Sequence, residues 1–288
     1  MIATAYQNAD EFLQTTQEFL EENEAANSLI LSICFQLKRF PDRIKTPPYF
    51  ITVSDGDELI LAAVRTPPHN LVISGQGQAP EQALEILTQN LRSDHGAIPG
   101  VLGPSQTAQA FAETWANAFN VKYRTGMRQR IYELRKVTSP QPVPGSLRLA
   151  TEGEADLMTQ WALAFQKEAL TPGDPIETRE MVERRISHQE IYLWEDGQPV
   201  SIAAKARPTI HGIGVNLVYT PPEFRRKGYA TACVATLSQL LLDAGWRFCV
   251  LFTDLSNPTS NHIYQTIGYT PVCDFNEYVF DVATMLIL

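Results

Sequence analysis

The chain holds four cysteines among 288 residues, and no two of them make a C-x-x-C pair. With only five histidines besides, the spacing excludes a zinc framework or a disulfide scaffold. No metal is expected. No apolar run approaches the roughly 20 residues that cross a bilayer. The first stretch, MIATAYQNADEFLQ, has neither a basic n-region nor an apolar h-region, so no signal peptide is expected. Positive charge is scarce: 23 Lys and Arg stand against 32 Asp and Glu, for a net charge of −9. A nucleic-acid or anionic-membrane surface needs a basic face, so neither partner is expected. These absences describe a soluble protein in a reducing, cytoplasmic setting. Charged residues make up 19% and apolar residues 44%, enough for one large core or two ordinary ones.

What is present is first a punctuation mark. TSPQPVPG, residues 138–145, reads as an extended, exposed connector. It divides the chain into 1–137, the connector 138–145, and 146–288. The two sides resemble each other. YFITVSDGDELILAAVRTPPHNLVIS (49–74) and IYLWEDGQPVSIAAKARPTIHGIGVNLVYT (191–220) share an order of strand, Asp-Gly turn, strand, Ala-Ala, proline and a strand with Asn-Leu-Val. Asp55-Gly56 and Asp196-Gly197 are hairpin signals. Each block precedes helix, strand, helix, strand: 79–91, 98–103, 105–120 and 129–137, then 229–244, 247–254, 258–267 and 269–281. The pattern predicts a duplicated α/β unit. Cys233 and Cys249 lie in apolar runs and read as small core residues.

The acidic chain gathers Arg225, Arg226 and Lys227 at one strand-to-helix corner. Gly228, Tyr229 and Ala230 follow and open a helix with Cys233, Val234, Leu237, Leu240 and Leu241 on one apolar face. A helix N-terminus offers unpaired N–H groups and a positive dipole end. Gly228, lacking a Cβ, is expected to let a ligand approach the backbone. Together these features suit a phosphate or pyrophosphate. A solvated basic turn is the competing reading. Further on, Asn257, Ser260, Asn261 and Tyr264 recur at helical spacing and share a polar face. Tyr264 alone would read as a packing tyrosine.

The strand NLVYT, then Arg225-x-x-Gly228-x-Ala230, then a buried strand, then Asn257-x-x-Ser260-x-x-x-Tyr264-x-x-x-Gly268-Tyr269, resembles the GNAT acyltransferases. The likeness is specific over roughly 190–281, loose over 146–190 and topological in the first half. It implies an α/β (α+β) chain of two tandem GNAT-like domains. Each would be a mixed, mostly antiparallel sheet flanked by helices, with splayed central strands in the second copy. It implies acetyl-coenzyme A as cosubstrate and an amine acceptor, a small molecule or a protein amine. By this resemblance Arg225, Arg226, Lys227, Gly228, Tyr229 and Ala230 cradle the pyrophosphate. Leu217, Val218, Tyr219 and Thr220 pair with the pantetheine amides, and Asn257, Ser260 and Asn261 contact the arm. Tyr264 protonates the leaving thiolate, and a backbone N–H near Val218 meets the oxyanion.

The general base is open among Glu190, Glu195, His211 and Asp254, and so is the oligomeric state. The first half has SGQGQAP (74–80) at its matching corner, without a cation, which predicts a copy unable to hold coenzyme A. Segment 169–186 reads as a loop and a charged helix. Two alternatives stand beside the transferase. One is a coenzyme A-binding sensor or interaction module without turnover. The other is a tandem aminoacyl or thiol-pathway transferase.

Overall fold

The computed structural model describes all residues except 42, 43, 45, 76, 78, 96, 97, 170, 171 and 282–288, and only the backbone of 92–95. Contacts divide the chain into two units. One holds residues 1–131 and the segment from 272 onward; the other holds 132–271.

The first unit runs β1 (Ile2–Tyr6), α1 (Ala9–Glu21), α2 (Ser28–Arg39), β2 (Tyr49–Asp55), β3 (Glu58–Arg65), β4 (Leu71–Gly75), α3 (Glu81–His95), β5 (Gly100–Pro104), α4 (Ser105–Phe119) and most of β6 (Tyr123–Leu134). Local chemistry sets these limits. Asn8 caps α1 by accepting from the Asp10 and Glu11 amides, both at 3.0 Å. Gly56 turns the β2–β3 hairpin with φ +59°. Trp115 and Phe111 on α4 are fully buried, with the Phe280 ring tilted against the indole at 5.8 Å. Truncating such an aromatic costs about 3–5 kcal/mol.

The second unit follows the same order: β7 (Ser146–Leu149), α5 (Ala155–Ala169), α6 (Pro175–Ser187), β8 (Ile191–Glu195), β9 (Pro199–Ala206), β10 (Gly212–Tyr219), α7 (Tyr229–Asp243), β11 (Phe248–Asp254), α8 (Pro258–Ile267) and the start of β12 (Thr270–Phe280). Strands lie in the order β1-β2-β3-β4-β5-β12 in the first unit and β7-β8-β9-β10-β11 in the second. All pairings are antiparallel except β4–β5 and β10–β11 among those with a resolved register. The fold is thus mixed α/β, as the pattern predicts, and the element order repeats.

The division of the chain differs from the sequence expectation. The last strand of the first unit comes from the far end of the chain. β12 pairs with β5 from Phe275–Pro104 to Val279–Gly100. Tyr132 and Leu134, at the end of β6, enter the second core beside Tyr264, Ile267 and Tyr269. A proline cluster marks where the chain is extended, but not which sheet claims the strands before and after it.

The 138–145 segment is in no helix or strand and mostly exposed, and it is also tethered to the second unit. The Thr138 amide donates to the Ile267 carbonyl at 2.7 Å, and the Trp194 indole donates to the Pro144 carbonyl at 2.8 Å. Val143 packs on the second core. Proline leaves carbonyl acceptors and apolar ring surface, which suffices to dock a chain that has few N–H groups to satisfy.

Candidate active site

Strands β10 and β11 run parallel and are paired at Gly212–Phe248, Ile213–Cys249 and Gly214–Val250. Beyond Gly214 no register continues, although β10 runs on to Tyr219 and β11 to Asp254. The two strands part, and the β11-facing edge of residues 215–219 has no strand partner among the described residues. On its other side β10 stays bound to β9. There Asn216 opposes Ala204 and Tyr219 opposes Ile202, three steps against two, so β10 carries one extra residue. Leu217 takes φ +50° at that bulge. The effect is a change of face. Ile213 and Val215 pack under α7, whereas Leu217 and Tyr219 pack with α5 and α6.

The open end of β10 leads through Thr220 and a short 3-10 turn at Pro222–Phe224 to the cation corner. Gly228 is the N-cap of α7 with φ +84°, and Arg226 also has a positive φ, +62°, while Lys227 does not. Alternating backbone handedness turns successive N–H groups toward one side, the geometry of an anion nest. No side chain caps α7, so its first amides stay open to a ligand. Arg226, Lys227 and Gly228 are exposed.

Three expected ligands behave differently. The Arg225 side chain turns away from the loop: Nε donates to the Thr220 carbonyl at 2.9 Å and Nη2 to Glu168 at 2.7 Å, with the guanidinium 5.6 Å from the Tyr219 ring. Tyr219 also reaches Glu168, at 3.3 Å. Glu168, near the end of α5, was not legible in the sequence, because the α5 pattern reads only as an amphipathic helix. The Tyr229 hydroxyl donates to Asp196 at 2.6 Å, which ties α7 to the β8–β9 turn. Gly228 does not present a bare backbone: a Cβ there would stand 2.8 Å from Val143 Cγ1. The missing Cβ serves the left-handed φ and the packing of 138–145, and only the amide side is left for a ligand. Ala230 is partly buried in the first turn of α7.

On α8, Asn257 caps the helix by accepting from the Ser260 amide at 3.1 Å. Asn261 closes the end of β11, donating to the carbonyls of Asp254 (2.9 Å) and Asn257 (2.7 Å) and accepting from Tyr132 at 3.3 Å. Tyr264 is buried at 8% exposure, with Tyr269 edge-on at 5.9 Å. Its hydroxyl has no partner among the described residues, and burial pushes its pKa up to about 12. It is therefore a neutral hydroxyl over the physiological range.

The four candidate bases separate. Glu195 is bound by Arg148 at the outer strand pair β7–β8, and His211 lies next to the paired end of β10. Asp254 accepts from both the amide and hydroxyl of Ser256, each at 2.8 Å. Glu190 accepts from Arg185 at 3.1 Å, near the parted strands. Cys233 and Cys249 are fully buried, and burial pushes both thiols up to about 12, which suits packing rather than nucleophilic chemistry.

In the first unit the matching strands do not part in this way. A Cβ on Gly103 of β5 would stand 2.6 Å from the Ile73 carbonyl of β4, so the two backbones stay in contact beyond their last paired residues. Gly77 turns the matching corner with φ +63°. Gln76 and Gln78 of that corner lie outside the described residues.

The sheet is thus parted between two parallel strands, with an uncapped helix at the open end. Residues 201–279 match the family model described as FR47-like protein. The fold is shared by an acetyltransferase of the GNAT family from Colwellia psychrerythraea, at 10% identity and TM-score 0.60, covering 98% of this chain and 100% of that one. It is shared by a GCN5-related N-acetyltransferase from Sphaerobacter thermophilus, at 14% identity and TM-score 0.58, covering 96% and 94%. A third, from Kribbella flavida, has 16% identity and TM-score 0.56 over 88% and 95%. No curated protein matches the chain. The chain thus has the fold of these GNAT-family structures, and its residues 201–279 carry the FR47-like match.

Proposed function

We propose that the second unit transfers an acyl group, acetyl in the simplest case, from coenzyme A to an amine. The observation that carries this reading is the parting of β10 and β11 after Gly214–Val250 in front of the uncapped start of α7. The gap admits a linear amide-bearing arm, and the free edge of 215–219 pairs with its amides as an added strand would. The α7 amides, Arg226 and Lys227 take the pyrophosphate. Arg225 braces the loop from outside through Thr220 and Glu168. Asn257 and Ser260 flank the arm, while Asn261 holds the strand end beneath it.

In the reaction the amine nitrogen bonds to the thioester carbonyl carbon and the C–S bond breaks. One proton leaves nitrogen and one reaches sulfur. An amide N–H near Val218 supports the developing oxyanion. Tyr264, neutral and unpartnered, donates to the thiolate. The first unit, uncleaved between β4 and β5, binds no coenzyme A in this reading.

Calorimetry with acetyl-coenzyme A tests the proposal. Binding is expected in the wild type, weakened about tenfold or more when Arg226→Gln and Lys227→Gln remove two charge-assisted contacts. Release of free thiol on adding amines separates an enzyme from a binding module. Absence of binding heat, or an unchanged affinity in the double variant, would remove the basis of this reading.

A further inference from the structure

Two guanidinium groups lie against the parted strands on the face covered by α5 and α6. Arg185 of α6 is buried and held on two of its nitrogens: Nε donates to Glu190 at 3.1 Å, and Nη2 donates to the Lys205 carbonyl and the Asn216 side chain, both at 2.9 Å. Asn216 is two residues past the last paired position of β10. Arg207 leaves the end of β9 with a left-handed φ of +49°, an uncommon conformation for a non-glycine residue. Its Cβ lies 3.6 Å from the position a Gly214 Cβ would take, and its guanidinium sits 5.0 Å from the ring centre of Phe252. Phe252 is two residues past the last paired position of β11. Leu251 packs under α7, so Phe252 points to the opposite face. Arg207 therefore reaches from the β10 side to the β11 side across the base of the gap.

Arg207 is partly buried, and no carboxylate or carbonyl among the described residues pairs with it. Burial, and secondly the charge of Arg185, bring its pKa down to about 10. A guanidinium held against an aromatic ring, short of water and beside a second cation lacks its usual counter-charge. Of the neighbouring acids, Glu190 is committed to Arg185, and Asp254 farther along β11 to Ser256. Two guanidiniums and one carboxylate leave one positive charge facing the gap.

We propose that Arg207, steadied by Arg185 and Phe252, binds the carboxylate of the acceptor, so that the acyl group is delivered to an amine that also carries one carboxylate, as in an amino acid. The assignment rests on the transferase reading above. A single excess charge matches a monoanionic carboxylate better than a dianionic phosphate. Anchoring the carboxylate on this face leaves the amine of the same molecule to enter the gap from the side opposite α7.

The test compares acceptors that differ only in the anion: L-phenylalanine with phenethylamine, L-leucine with isoamylamine, and O-phosphoethanolamine with ethanolamine. Each is assayed with acetyl-coenzyme A on wild type and on Arg207→Met, which keeps an apolar side chain over Phe252. A carboxylated member is expected to be preferred, and the variant to raise its KM about 10- to 100-fold, the scale of a lost charged hydrogen bond. The KM for acetyl-coenzyme A and turnover of the neutral amine should not move. Equal use of neutral amines, preference for the phosphate compound, or an unchanged carboxylate KM in the variant would each overturn the proposal.

A second measurement does not depend on turnover. The Arg207 Nε nitrogen resonance, assigned by its loss in Arg207→Lys, is titrated with N-acetylglycine and separately with inorganic phosphate. A saturable shift with N-acetylglycine supports the site, and no shift overturns it. Acetyl-coenzyme A binding in the same sample separates the two ideas. If the anion binds but coenzyme A does not, the transferase reading fails and the anion site stands. If coenzyme A binds but no carboxylate does, the acceptor assignment alone fails.

Discussion

Glu168 on α5 holds Arg225 at 2.7 Å, and the pair links the helix covering one face of the sheet to the loop that opens α7. Both side chains are well exposed, at 42% for Arg225 and 45% for Glu168, so the pair contributes no more than about 1 kcal/mol to stability. Its larger effect is on charge at the corner. Replacing Glu168 by Gln removes a carboxylate beside the cation cluster. Acetyl-coenzyme A affinity is expected to rise about two- to fivefold, the scale of an exposed ion pair. Calorimetry at two salt concentrations checks this, because the gain should fade as salt screens the loop.

Tyr264→Phe separates chemistry from binding. The ring stays packed against Tyr269, so coenzyme A affinity should hold. Turnover should drop about 100-fold or more, the range of a positioned general acid. Because burial raises the Tyr264 pKa to about 12, the protonated form persists over the ordinary assay range. The wild-type rate should therefore show no loss from ionisation of this tyrosine as pH rises to 10. A descending limb near 9 that vanishes in the Phe variant would contradict the assigned role.

Gly228→Ala places a side chain at φ +84° and 2.8 Å from Val143 Cγ1. The left-handed backbone alone costs about 1–2 kcal/mol. The contact adds to it, since Val143 is packed on the core. Thermal melting of Gly228→Ala, Val143→Ala and the double variant resolves the two terms. The double variant should recover the steric part and keep the backbone part.

Arg148 makes hydrogen bonds to Glu154 at 2.6 and 2.9 Å and also binds Glu195. These bonds hold Glu154 well below its usual 4.5, at about 2. A depressed carboxylate contributes stability above its unfolded pKa and loses it as pH falls through the folded value. Urea unfolding should thus show an acid-dependent loss between pH 4.5 and 2. Glu154→Gln should remove that limb and lower stability at neutral pH by about 1 kcal/mol, since Arg148 is partly solvated.

Much of this protein was legible in one dimension. The helices over 229–243 and 258–267 and the strand over 248–254 follow from apolar spacing, Pro258 and the stop at Gly245. These signals are local: a helix face or a buried strand is written in residues a few positions apart. The Asp-Gly hairpins and the repeated element order were visible for the same reason. The cation corner was recognisable because consecutive residues form it. What each cation does was not. Arg225 faces Glu168, 57 residues away, and Tyr229 faces Asp196, 33 away.

The sequence by itself determined the secondary elements, their repetition, the scarcity of positive charge outside one corner, and the resemblance carried by Arg225 to Ala230 and Asn257 to Tyr264. Tertiary structure alone decided which strand completes the first unit, where β10 and β11 part, why Gly228 lacks a side chain, and that Arg185 and Arg207 flank the gap. The reason is physical. Propensity, capping and turn geometry act over a few residues and can be read in order. Strand partnership, charge pairing and the filling of space join residues that the chain brings together only by folding.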